Sequence, residues 1–258
     1  MGEEADANRA GFPVRRDHAM EEAAGWSREP TATTEDASSF GEASQVPGAQ
    51  GAMLTIWGRS TSSNVQKVLW TCEELALPYE RIDAGREFGK VDEAWFGMMN
   101  PNRLVPTVRD GDLILWESNT VMRYLANSYG GDALYPAEPG ARSQVERWMD
   151  WQLSTLAPAA AAVFWALVRP PAGGPDPARL DADIAKLGQI WALVDRELAG
   201  RPYVAGDRLS LADIALGNSV RRWFHFAIER PHLPHLAAWH ARLGERPGFQ
   251  KHMMGPVV

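Results

Sequence analysis

R-L-V-P-T-V-R-D-G-D-L-I-L-W-E-S-N-T-V-M-R-Y, residues 103–124, is the stretch on which the reading of this chain turns. Val105-Pro106 opens a short β-prone run, Asp110-Gly111 turns it, and Leu113 to Trp116 returns it. An Asp-Gly pair between two apolar runs is a strong hairpin signal. Glu117-Ser118-Asn119 then starts a helical pattern that puts Val121, Tyr124 and Leu125 on one face. Ser118 is its natural N-cap. The first N–H groups of such a helix have no partner inside it, so its start suits a carboxylate, and Glu117 beside it suits an ammonium. A capped helix after a hairpin, with no ligand, accounts for the same residues.

Toward the N-terminus, Met53 to Trp57 reads as a buried strand and Gly58 to Ser63 as a polar loop. Val65, Val68, Leu69 and Cys72 recur at i, i+3, i+4 and i+7, as in a helix buried on one face. Pro78 ends that helix, and Tyr79 to Ile82 reads as a second strand. A loop from Gly85 to Val91, a short helix from Asp92 to Met99 and a turn at Asn100-Pro101-Asn102 lead into the hairpin. The order β-α-β-α-β-β-α predicts one mixed sheet covered by helices.

Toward the C-terminus, Gly130-Gly131 through Pro139-Gly140 reads as a linker, and everything beyond is helical in pattern. Val145, Trp148, Met149, Gln152 and Leu156 follow helical spacing in a long segment from Ala141 to about Leu167, with a kink or break expected at Pro158. A proline-rich loop from Arg169 to Ala178 precedes a helix marked by Ile184, Leu187, Ile190, Trp191 and Val194. Ser210-Leu211-Ala212-Asp213 reads as a capping box, with Leu209 and Ile214 closing a staple around it. That use of Ser210 and Asp213 argues against a hydrolytic triad with one of the six histidines.

With 258 residues, 45% hydrophobic content and eleven tryptophans, most of the chain is expected to be globular. Its single cysteine, Cys72, excludes an internal disulfide and fits a reducing compartment; its place on an apolar stripe reads as structural. No run of about 18 apolar residues and no secretory leader pattern appear, so no membrane span is expected. The net charge of −7 is uneven. Residues 1–52 hold four arginines and ten acidic side chains; the remainder has 22 basic and 23 acidic ones, with no nucleic-acid face. Residues 1–52, poor in aliphatic side chains, are expected to be a disordered acidic tail, with Met53 the start of the functional chain. The histidines near the C-terminus match no zinc spacing, and no metal is expected.

Four motifs carry a resemblance over residues 53–258. They are N-V-Q-K-V-L-W (64–70), N-P-N-R-L-V-P-T (100–107), D-G-D-L-I-L-W-E-S-N (110–119) and L-S-L-A-D-I-A (209–215). In this order and spacing they resemble the soluble glutathione S-transferases. The resemblance implies a thioredoxin-like α/β domain (53–131), a linker (132–140) and an all-α domain (141–258). It implies a cis Val105-Pro106 bond, with the Val105 backbone pairing with the cysteinyl part of glutathione, and Glu117 and Ser118 gripping its γ-glutamyl end.

The thiol's partner belongs in the loop Arg59-Ser60-Thr61-Ser62-Ser63-Asn64, which holds neither tyrosine nor cysteine. It looks like the serine-type classes, theta and delta, and like bacterial nu-class relatives with a Thr-x-Asn pattern. Counting back from the helix places Ser62 at the hydroxyl position and Asn64 two residues on, with Ser60, Thr61 and Ser63 as alternatives. Arg103 stands where relatives often carry glycine, and either reaches the glycine carboxylate of glutathione or is a solvated turn residue. The loop 85–91 should supply a polar side chain to the same carboxylate; the strict position falls on Val91, so Lys90 is the nearest candidate. Trp148 and Trp151, with Phe164 or Trp165, read either as core or as the wall of a second-substrate pocket.

The activity implied is attack of the glutathione thiolate on a small apolar electrophile. The resemblance implies glutathione as the co-substrate and a cytoplasmic homodimer. Glutathione-dependent disulfide or peroxide reduction, dehalogenation or isomerisation at the same site, and a non-catalytic ligand-binding protein are the alternatives.

Overall fold

The computed structural model describes residues 53–257, so the expectation for the tail lies outside the described residues. Strand β1 (Leu54–Trp57) is buried at all four positions, as befits a central strand. It pairs in parallel with β2 (Tyr79–Ile82) and antiparallel with β3 (Thr107–Asp110), which is joined by a hairpin to β4 (Leu113–Trp116). The sheet order is β2-β1-β3-β4. The Val105-Pro106 peptide directly before β3 is cis.

The hairpin loop is Gly111-Asp112, one residue later than the sequence suggests, because Asp110 still pairs with Leu113. Asp110 is held in the strand by its side chain, whose Oδ2 accepts from the Tyr124 and Tyr129 hydroxyls at 2.7 and 2.6 Å. The positive φ of 57° that the loop needs then falls on Gly111.

Helices α1 (Ser63–Glu74), α2 (Ala94–Met99) and α3 (Ser118–Ser128) cover the sheet, with a 3₁₀ turn at Arg86–Phe88. At the start of α3 the expectation is corrected: Glu117 is the N-cap, with φ 68°, and Ser118 is the first helical residue. Only one residue separates β4 from α3, so Glu117 takes the whole change of direction, and buried Ser118 points inward.

From residue 139 onward the named elements are all helices among the described residues. Pro158 does not break the first of them. Helix α4 (Pro139–Trp151) runs through a π turn (Gln152–Leu156) into α5 (Ala157–Val168). In the π turn the Ala157 N–H bonds to the Gln152 carbonyl, five residues back; the wider register makes room for the proline ring that follows. The helix starts at Pro139 because the Glu138 carboxylate accepts from the N–H groups of Gly140 and Ala141, at 2.7 and 2.6 Å. By length and composition alone this 30-residue helix could cross a membrane, against the expectation that no such span exists. In the fold it buries Val145, Trp148, Met149, Leu156 and Val163, and it packs on the later helices.

Helices α6 (Pro177–Glu197), α7 (Leu211–His225), α8 (Pro234–Gly244) and α9 (Pro247–Met253) complete the fold. The capping box is present at α7. Fully buried Asp213 accepts from Ser210 N–H and Ser210 Oγ on one oxygen, both at 2.9 Å. Its other oxygen accepts from Val204 N–H at 3.0 Å and Trp239 Nε1 at 2.9 Å. Burial still pushes its carboxyl up to about 6, against the downward pull of those bonds.

Trp70, fully buried on α1, joins the sheet half to the helical half. It meets Phe249 edge-on at 5.3 Å and lies against the backbones of Gly217 and Gly248. One continuous hydrophobic cluster therefore runs from Leu54 to Met253.

Candidate active site

A cavity of about 380 Å³ opens where the loop after β1 meets the start of α1, the 3₁₀ turn, Leu104-Val105, α5 and α7. Three local decisions shape it. The loop turns back on itself through the Ser62 N–H, which bonds to the Arg59 carbonyl at 3.1 Å. Gln66 holds it from below: its Nε2 donates to the Ser60 carbonyl at 2.9 Å, and its Oε1 accepts from Asn218 Nδ2 of α7 at 2.6 Å. The third is Val105, which stands on the cavity wall directly before β3 and its cis bond.

Ser62 stands at the N-cap of α1 with extended backbone (φ −77°, ψ 122°), yet its side chain makes no cap hydrogen bond. It is 7% exposed and lines the cavity together with Thr61, Ser63 and Asn64. The hydroxyl that helix capping would normally consume thus remains available at the positive end of the α1 dipole.

Behind the loop, buried Lys67 also lines the cavity, and its Nζ donates to Asn119 Oδ1 at 2.9 Å. Asn119 Nδ2 in turn donates to the Met149 carbonyl at 3.0 Å and to Gln152 Oε1 at 3.3 Å, tying α3 to the π turn. Burial pushes the Lys67 amine down to about 7, opposed by the charge of Glu117. Glu117 and Ser118 are not themselves in the cavity wall; they sit at the start of α3, next to Asn119. Cys72 is fully buried in the core, where desolvation and then Glu73 push its thiol up to about 12.

Family models described as the glutathione S-transferase N-terminal and C-terminal domains match residues 61–128 and 156–247. Glutathione S-transferase GstB of Escherichia coli is 45% identical over 207 residues, covering 80% of this chain and 100% of that protein. The chain belongs to the glutathione S-transferase family. Glutathione S-transferase 3 of Zea mays is 32% identical over 213 residues, 78% of this chain and 93% of that one. A theta-class glutathione S-transferase from Xanthomonas axonopodis pv. citri, solved with glutathione bound, superposes with a TM-score of 0.75 at 46% identity, covering 80% of this chain and 99% of that chain.

Several residues singled out from the glutathione transferase resemblance stand elsewhere. Lys90 Nζ donates to the Asp83 carbonyl at 2.9 Å and is outside the cavity wall. Arg103 folds back with φ 53°, its Nη1 donating to the Val91 and Glu93 carbonyls at 3.0 Å each, so it braces the start of α2. Trp148 is core, packed edge-on against half-buried Trp151 at 5.2 Å; neither lines the cavity, while Phe164 and Trp165 do. The π turn explains the difference, since it rotates α5 relative to α4 and breaks the expected common face. Sequence reading missed the cavity's arginines, Arg59, Arg86 and Arg222. Arg86 alone carried a signal, since it lies in the loop expected to meet a carboxylate. Among the described residues no group of three or more His, Cys, Asp or Glu is placed to hold a metal.

Proposed function

We propose that this glutathione transferase activates the thiol of glutathione with the Ser62 hydroxyl, and that the thiolate attacks an electrophile lodged against Phe164 and Trp165. The observation that carries this reading is the unspent Ser62 side chain at a helix N-terminus on the cavity wall. A thiol with a pKa near 8.5 is little ionised at neutral pH. A hydroxyl donating to the sulfur and the dipole of α1 both favour the anion, and a shift of about two units requires roughly 2.7 kcal/mol. The thiol proton leaves to solvent, and Asn64, exposed on the first turn of α1 and also on the cavity wall, is assigned with Ser62 to the thiolate.

In this reading Val105 pairs with the cysteinyl backbone beside Pro106, and Ser118 with Glu117 takes the γ-glutamyl end. The glycine carboxylate goes to Arg86 rather than Lys90, whose amine is already engaged. The chain works as a homodimer, and its unpaired Cys72 suits the cytoplasm.

The test is an ultraviolet titration of glutathione bound to wild type and to Ser62→Ala. Loss of the hydroxyl should raise the bound thiol's pKa by roughly one to two units, with kcat/KM near pH 6.5 falling in step. An unchanged pKa and rate would move the role to Thr61, Ser60 or Ser63.

A further inference from the structure

Three arginines, Arg59, Arg86 and Arg222, line the cavity together with Lys67, and among the described residues no Asp or Glu lines it. The imbalance is local, because the chain as a whole carries a net charge of −7. Nε of Arg59 and Nε of Arg222 are buried without a hydrogen-bond partner. Among the described residues none of the three arginines belongs to an ion pair. Nε of Arg123 and Arg230 is unpartnered too, but those guanidinium groups donate through Nη2 to Asp150 and to the Phe226 carbonyl, and Arg81, Arg142, Arg242 and Arg246 also find acceptors, which Arg59 and Arg222 do not. Arg86 is exposed, and the Glu87 carboxylate acts on both Arg86 and Arg59, so the charge left without compensation is chiefly that of half-buried Arg222, which a ligand bringing an anion would relieve.

Glutathione accounts for part of this positive lining. In the function proposed above, on which this inference rests, its two carboxylates go to the start of α3 and to Arg86. Lys67 is taken by Asn119. Arg222 is left over, and it belongs to the other wall. It projects from α7, and its guanidinium lies 4.1 Å above the Phe164 ring of α5, so it faces the space where the second substrate sits. Arg59, in the loop that leads to Ser62, lines the same cavity from the thiol's side.

We propose that the second substrate carries a carboxylate, held by Arg222 with Arg59 beside it, while its apolar body lies against Phe164 and Trp165. The expectation of a purely apolar electrophile then gives way to an amphipathic one. Burial first, and then Arg221, Arg86 and Arg59, push the Arg222 guanidinium down to about 10, a cost that a bound anion relieves. Arg169 lies over the Trp165 ring at 5.7 Å and adds positive charge near the same rim, which draws anions in.

A matched pair of aryl chlorides tests this: 4-chloro-3,5-dinitrobenzoate and 4-chloro-3,5-dinitrobenzamide. They share the reacting carbon and nearly the same shape and differ in charge. In both, the glutathione sulfur bonds to the ring carbon, chloride leaves with its bonding pair, and the thiol proton goes to solvent. Each kcat/KM is divided by the uncatalysed rate, because the amide activates the ring more. The carboxylate should be preferred by about tenfold or more, the size of one charge-assisted pair.

Arg222→Met, which keeps an apolar stem over Phe164, should lower that ratio toward one, and Arg59→Gln should lower it in part. Arg179→Gln removes the same charge from an exposed site and should leave the ratio intact. An amide turned over as well as the carboxylate, or a ratio that Arg222→Met leaves unchanged, overturns the proposal while the transferase reading stands. If neither chloride reacts, these two are not substrates, and the thiol titration described above still tests the transferase reading. Calorimetric binding of S-(4-carboxybenzyl)glutathione against its carbamoyl analogue then decides the anion preference separately: tenfold tighter binding of the former supports it, and equal binding ends it.

Discussion

Ser62 and Lys67 belong to the same turn-and-a-half of chain and show how environment divides labour between neighbours. The Ser62 hydroxyl is at the cavity wall with nothing to cap, whereas the Lys67 amine is buried and bonded to Asn119. Burial lowers the lysine from 10.5 to about 7, with Glu117 opposing. Folding therefore releases a proton between about pH 7 and 10.5. The cost of burying this group is full below the folded value and fades as pH rises toward the unfolded one. Lys67→Met, similar in length and uncharged, should gain most in melting temperature over wild type at pH 6 to 7, and the gain should shrink toward pH 10. A difference independent of pH would mean that the amine keeps its charge in the folded protein.

At the scale of elements, α1 is the part on which the others are set. It packs on α3 within the sheet half and on α7 and α9 of the helical half, and Trp70 is the side chain that meets both of those later helices. A Cβ at Gly217 would lie 2.6 Å from the Trp70 ring. In an open helix Gly→Ala usually stabilises by roughly 0.5–1 kcal/mol; here overpacking should outweigh that and cost about 1–3 kcal/mol. Chemical denaturation of Gly217→Ala should show a lower midpoint, and a raised one would mean that the Trp70 ring can step aside. The same scale explains why Pro158 misled: a proline states only that a hydrogen bond is missing, and the π turn upstream absorbs the loss without ending the helix.

For the whole molecule, an uncovered feature among the described residues is the β4 edge of the sheet. Among the described residues strand β4 pairs only with β3, and Leu113 is 42% and Trp116 38% exposed. An apolar edge strand of this kind is usually covered, and a second copy of the chain is the occupant that family membership suggests. Light scattering should give twice the 28.5 kDa chain mass. A monomer at micromolar concentration would overturn the dimer.

What the sequence by itself determined is whatever is written within about ten residues. The alternation of apolar runs and turn residues set the order of strands and helices, Val105-Pro106 marked the bend before β3, and Ser210 with Asp213 marked the start of α7. Counting along the sequence put Ser62 at the start of α1, but that its hydroxyl stays uncapped on a cavity wall came from the fold. Tertiary structure decided where long side chains go, because that depends on which acceptors come within reach. Lys90 and Arg103 found backbone carbonyls close by in the chain, and Trp148 found the core. Arg59, Arg86 and Arg222, from a loop, a 3₁₀ turn and a distant helix, met around one cavity because α1 and α7 pack together. No local pattern encodes that meeting; it exists only once both halves have closed over Trp70.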